Sequence, residues 1–234
     1  MPFTLSEIVP WGRSYDEYLS MFSLSPEDLQ RNILGCSDGP ASFNALLTAD
    51  GHNGSIVSVD PLYSFSSDEI QQRIADTSST VLEQAQKNKE EFVWEHIASV
   101  EELEQIRMDA MAEFLGDFEQ GKAEGRYVNG SLPLLDFIDQ SFGLALCSHF
   151  LFLYSGQLSE AFHLASIKEL CRVATEARIF PLLELGSKKS RHLAPVIAQL
   201  QREGYRTEIR RTAYEFQKGG NEMLVISSPA VAAL

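Results

Sequence analysis

No apolar run in this chain is long enough to cross a membrane. The longest, Phe142 to Tyr154, is interrupted by Cys147, Ser148 and His149, and a spanning helix needs roughly 18 or more apolar residues. No membrane partner is expected. Basic residues are scarce: 19 Lys and Arg stand against 33 Asp and Glu, for a net charge of −14. A nucleic-acid binder must neutralise phosphates with clustered Lys and Arg, so the balance disfavours nucleic acid. One basic cluster, Lys188-Lys189-Ser190-Arg191-His192, is followed by Arg202, Arg206, Arg210 and Arg211; it reads first as solvated loop and strand surface. Cysteine is nearly absent. Cys36, Cys147 and Cys171 are odd in number and lack metal-ligand spacing, which points to free thiols in a reducing compartment and to no metal site. The chain opens without a basic stretch and a long apolar segment after it, so no secretory signal is expected and the cytoplasm is the expected location.

What is present fits an ordinary globular protein, 44% hydrophobic and 22% charged. A length of 234 residues suits one domain (1–234) carrying an insertion. No internal repeat or low-complexity tract is visible. Ser14 with Glu17 three residues later forms a capping box, and Tyr15, Tyr18 and Phe22 give a helical apolar stripe. Ser25-Pro26-Glu27-Asp28 reads as a further N-cap with Pro in the first turn. Arg31 to Cys36 is a short strand, Ser42 to Thr48 a helix, and Ser55 to Asp60 a second strand apolar enough for the inside of a parallel sheet. Strand, small-residue turn, helix and strand make one βαβ unit.

Between residues 66 and 125 the pattern turns to charged, amphipathic helices, one from Ser67 to about Lys89 and one from Ser99 to about Lys122. The stretch is too long for a simple crossover and reads as an inserted helical subdomain, serving either as a buttress or around a ligand. The βαβ rhythm resumes with strands at Arg126–Asn129 and Leu144–Cys147, a helix from Ser159 to Thr175, a strand from Ala177 to Leu185 and a helix from Ala194 to Glu203. Strands at Thr207–Phe216 and Glu222–Ser228, joined through Lys218-Gly219-Gly220-Asn221, close the chain as an antiparallel hairpin. The fold class expected is α/β: a Rossmann-like, seven-stranded, mostly parallel sheet with an antiparallel C-terminal hairpin strand, and a helical insertion between the second and third strands.

Chemistry concentrates at two strand ends. The turn Gly35-Cys36-Ser37-Asp38-Gly39-Pro40-Ala41-Ser42 would let the backbone approach a ligand at a helix start. The same string has the Gly-x-Ser-x-Gly form of a hydrolase nucleophile elbow, but Asp38 beside the serine would oppose an oxyanion. Asp60 ends the next strand about twenty residues on, where a carboxylate accepts both hydroxyls of a ribose. A nicotinamide-dependent oxidoreductase would share this βαβ unit; the terminal hairpin speaks against it.

Residues 31–60 resemble the first two motifs of the class I S-adenosylmethionine-dependent methyltransferases. Gly130 to Cys147 is similar to their later segment leading into the fourth strand, and the terminal hairpin to their antiparallel seventh strand. The runs Leu34–Phe43, Val57–Pro61 and Ala145–Ser155 are most similar to a bacterial group within that superfamily. Ile33, Ser37 and Gly143 depart from the superfamily pattern. The resemblance implies S-adenosylmethionine as cofactor, with Gly35, Cys36, Ser37 and Gly39 along its methionine and ribose part and Asp60 on the ribose. It places Pro61 and Leu62 beside the adenine, Ser131 and Leu132 at the adenine edge, and Cys147 and Ser148 toward the methyl group. His149 is the candidate catalytic base, and Arg13 the candidate partner of the cofactor carboxylate. Tyr154, His163 and Glu184 lie near the same end with core or surface roles preferred. The function expected is methyl transfer to a small molecule or a protein side chain. The alternative is a non-catalytic sensor or partner subunit that binds S-adenosylmethionine or S-adenosylhomocysteine. The sequence does not set the oligomeric state.

Overall fold

Four consecutive buried residues, Ile33-Leu34-Gly35-Cys36, form the central strand β1 (Ile33–Cys36), as a strand covered on both faces requires. The computed structural model describes residues 9–51 and 54–229. Around β1 the sheet is built from β2 (Ile56–Val59), β3 (Tyr127–Val128), β4 (Leu144–Ser148), β5 (Ala177–Phe180), β8 (Arg206–Arg211) and β9 (Glu222–Ser227), in the order β3-β2-β1-β4-β5-β9-β8. A separate small hairpin pairs β6 (Leu183–Glu184) with β7 (Lys188–Lys189). β9 is antiparallel to both its neighbours, and the other sheet pairings are parallel. The fold is the expected α/β Rossmann-like sheet, with the strand order reversing direction at β1 and β4. In such sheets ligands bind beyond the carboxyl ends of the strands at that switch point.

The helices are α1 (Tyr15–Met21), α2 (Phe43–Ala49), α3 (Ser67–Lys87), α4 (Val100–Ala123), α5 (Glu160–Val173) and α6 (Leu193–Arg202). Ser14 and Ser66 each cap their helix reciprocally with Glu17 and Glu69, and Ser99 and Ser159 cap α4 and α5. Ser25 also accepts from the Asp28 N–H, but only a three-residue turn follows. α3 and α4 form the insertion between β2 and β3. They pack on each other, and α4 also packs on α2. Tyr63, Phe114, Phe118 and Tyr127 close the contact between the insertion and the sheet edge. No helix among the described residues is long and apolar enough to cross a membrane.

Two strands are shorter than their hydrophobic patterns suggest. The strand expected over Ala177–Leu185 stops at Phe180 because Pro181 has no N–H to donate to the ladder; Leu183 and Glu184 join the small hairpin instead. The strand expected over Thr207–Phe216 ends at Arg211. The link from Thr212 to Asn221 leaves the sheet, sending Tyr214 and Phe216 inward against the N-terminal segment and the insertion. The basic cluster is surface, as its composition suggested: Lys189 pairs with Glu222 and Arg191 with Glu184.

Candidate functional site

The chain leaves β1 through two residues in the left-handed region, Ser37 (φ 57°) and Gly39 (φ 55°). The Ser37 N–H donates to the Val59 carbonyl at 2.8 Å, which ties the turn to the end of β2. Between them Asp38 folds back into the protein, with its carboxylate where a side chain on Gly35 would be: a Cβ there would overlap it. Gly35 therefore makes room for Asp38. The Asp38 carboxylate accepts from the Tyr18 hydroxyl at 2.8 Å and from Ser58 at 2.7 Å. Burial, only partly offset by these two hydrogen bonds and reinforced by nearby Asp60, pushes it up to about 7.

Asp60 sits at the end of β2 and bridges two loops. One carboxylate oxygen accepts from the Gly39 N–H at 2.9 Å, the other from the Leu62 N–H at 2.8 Å. A carboxylate offers about four acceptor sites, so each oxygen keeps capacity for a further donor. Burial raises its pKa, against the two backbone hydrogen bonds.

At the end of β4, His149 takes a left-handed conformation (φ 50°), and its N–H donates to the Phe180 carbonyl at 2.6 Å. Its Nδ1 lies 2.9 Å from the Ser148 hydroxyl. Burial, with the Arg13 and Arg107 charges, holds His149 well below its ordinary value, so the ring is neutral at pH 7.

Arg13 comes from the segment before α1. The segment is pinned to the turn because Ser42 N–H donates to the Arg13 carbonyl at 3.1 Å and Ser42 Oγ accepts from Tyr15 N–H at 3.1 Å. The Arg13 guanidinium donates to the Trp11 carbonyl at 2.8 Å, and its buried Nε has no partner. Burial and Arg107 lower its pKa to about 10. Arg107 on α4 is itself fully buried and makes a bidentate pair with Glu17, which also accepts from Tyr214 at 2.6 Å.

These groups surround a cavity of about 340 Å³ at the carboxyl ends of β1, β2 and β4, within the size range of small-molecule sites. Of the residues expected at a cofactor, Arg13, Ser37, Gly39, Asp60, Pro61, Leu62, Ser131, Ser148 and His149 line it. Gly35, Cys36, Leu132 and Cys147 do not. Gly35 is covered by Asp38, while Cys36, Leu132 and Cys147 point into the sheet core. The three thiols are free and buried, and burial pushes Cys147 up to about 12. Tyr154 lines the cavity, whereas His163 is held between the carbonyls of Ser159 and Leu151, and Glu184 is taken by Arg191. Sequence reasoning missed Asp38 as part of the site, and with it Phe65, Arg73 and Phe150. Asp38 did carry a signal, an acid inside a turn of small residues.

No protein-family model matches the chain. Among solved structures, a TehB-like methyltransferase from Corynebacterium glutamicum is 12% identical with a TM-score of 0.44, covering 86% of this chain and 81% of that one. The magnesium protoporphyrin IX methyltransferase of Synechocystis, solved with bound S-adenosylmethionine, is 12% identical with a TM-score of 0.45, covering 91% and 77%. Likenesses at this level carry no functional weight, so the chemistry has to come from the cavity itself. A sequence relative is much nearer: the uncharacterized protein MJ0045 of Methanocaldococcus jannaschii is 34% identical over 225 residues, 95% of this chain and 97% of the relative. That relative is archaeal, not bacterial. This chain belongs to the family of MJ0045.

Proposed function

We infer that this protein binds S-adenosylmethionine in the cavity at the ends of β1, β2 and β4 and transfers its methyl group to a small molecule. The observation that carries the reading is Asp60: a carboxylate fixed by the Gly39 and Leu62 N–H groups, with acceptor capacity left on both oxygens, in a cavity at the switch point. The residues present fit the group. Asp60 would accept from the ribose hydroxyls, Pro61, Leu62 and Phe65 supply apolar surface for the adenine, and Ser131 lies at its edge. Gly39 has open space where a side chain would stand. Arg13, with a buried Nε lacking a partner, would hold the carboxylate.

The bound cofactor supplies an electrophilic methyl group on a sulfonium, for which alignment of the acceptor does most of the work. With His149 Nδ1–H donating to the Ser148 hydroxyl, Nε2 would be the nitrogen that takes a proton. Because His149 stays neutral through the physiological range, it should contribute no inflection of its own near pH 6.5 to the transfer rate. Residues 66–125 act on this reading as an inserted subdomain that shapes access for the acceptor, since Arg73 reaches the cavity. The test is calorimetric titration with S-adenosylhomocysteine, using Asp60→Ala as control. Saturable binding that the variant loses supports the reading. No binding to folded wild type would sink it.

A further inference from the structure

A second cavity adjoins the first. Its volume is about 100 Å³, smaller than the roughly 150 Å³ that encloses a benzene molecule in a dry protein interior. It is sized for one ring in a tight fit or a short branched chain. Its walls come from α3 (Val81, Ala85), the turn at Phe92, Leu103 of α4, and Phe216 on the link between β8 and β9. Phe92 and Phe216 stack with ring centres 4.8 Å apart. Trp11, Arg13, His149 and Tyr154 line both cavities, so anything held in the second presents an atom at His149, where the first ends. The charged groups on its wall are cationic, Arg13 and Arg107, and no carboxylate lines it among the described residues. Arg107 is paired with Glu17, while Arg13 makes no ion pair among the described residues. An ammonium group would be desolvated there among apolar walls with no carboxylate to pair with.

We propose that the second cavity holds the body of the methyl acceptor, a small molecule with a compact aromatic or branched aliphatic frame whose reacting atom is oxygen or sulfur rather than a cationic amine. The assignment rests on the methyl-transfer reading of the first cavity. The insertion then serves selection: α3 and α4 supply the walls that set acceptor size, while β1, β2 and β4 supply the cofactor side.

The test is titration of the full chain with phenol, thiophenol and benzylamine as probes, with and without saturating S-adenosylhomocysteine, read by calorimetry and by the fluorescence of Trp11 and Trp94. Ala85→Phe fills the cavity without touching the first one, and Ala85→Leu is a milder filling should the larger one impair folding, which a thermal melt reports. The expected result is saturable binding of phenol and thiophenol, weakened about tenfold or more by either filling. Benzylamine should bind about tenfold or more weakly than phenol, with S-adenosylhomocysteine affinity the same in all variants. Phenol binding that ignores both fillings, or benzylamine binding as well as phenol, overturns the proposal and leaves the cofactor reading intact. Failure of S-adenosylhomocysteine to bind wild type overturns both the cofactor reading and the acceptor role.

Discussion

Two carboxylates, Asp38 and Glu17, are buried in this protein in opposite surroundings. Asp38 has only hydroxyl donors, and burial together with neighbouring Asp60 raises it to about 7. Burial alone would raise Glu17 too, but the charge and hydrogen bonds of Arg107, with Arg13 beyond, hold it down to about 2. The Glu17 pair ties α1, α4 and the β8–β9 link together and is a structural lock. Asp38 stays a costly buried acid at the rim of a cavity, an arrangement more typical of a functional site than of a scaffold.

The largest effect should come from breaking the lock. Arg107→Met leaves Glu17 buried without its ion-pair partner and should cost about 3–5 kcal/mol in chemical denaturation, while adding Glu17→Leu should restore much of it. If the single variant loses under about 1 kcal/mol, the pair is not the lock described.

Asp38→Asn should act in the opposite sense. The native state holds the Asp38 proton more tightly than the unfolded chain does. Its contribution to stability is therefore full below about pH 4 and lost as pH rises through about 7. Wild type should lose on the order of 2–4 kcal/mol between about pH 5 and pH 8 from this group, and the Asn variant should lose that slope. Glu17 works in the acid range instead: its contribution is present above about pH 4.5 and lost as pH falls through about 2.

Asp60→Ala should weaken S-adenosylhomocysteine about a hundredfold, the loss of two hydrogen bonds to a charged acceptor, and cost about 1–2 kcal/mol of stability because the Gly39 and Leu62 N–H groups lose their acceptor. The smallest effect is at Ser37. Its left-handed backbone costs a serine what a glycine does not spend, so Ser37→Gly should stabilise by about 0.5–1 kcal/mol with cofactor affinity kept. A loss of affinity there would mean that the Ser37 side chain takes part in binding.

Local signals carried the fold well. A Ser–Glu capping box marked the start of α1, a charged amphipathic pattern marked α3, and the apolar runs at Ile33–Cys36 and Ile56–Val59 marked the central strands. The Asp60 position was legible because a strand end and a turn are both local. The strand after Ala177 was overdrawn because its hydrophobic run continues through Pro181 into the small hairpin. What the sequence did not show is contact between distant residues: Arg107 with Glu17, Tyr214 with Glu17, and Tyr18 with Asp38 are separated by 90, 197 and 20 positions. No spacing rule joins such residues, and the second cavity draws its walls from segments as far apart as Trp11, Ala85, His149 and Phe216.

The most direct test of the account is a crystal structure of the complex with S-adenosylhomocysteine. The ribose hydroxyls should lie on the Asp60 carboxylate, the ligand carboxylate on Arg13, and the sulfur toward His149 and the second cavity. A nucleoside bound elsewhere, or one that leaves Asp60 without a ligand contact, would contradict it.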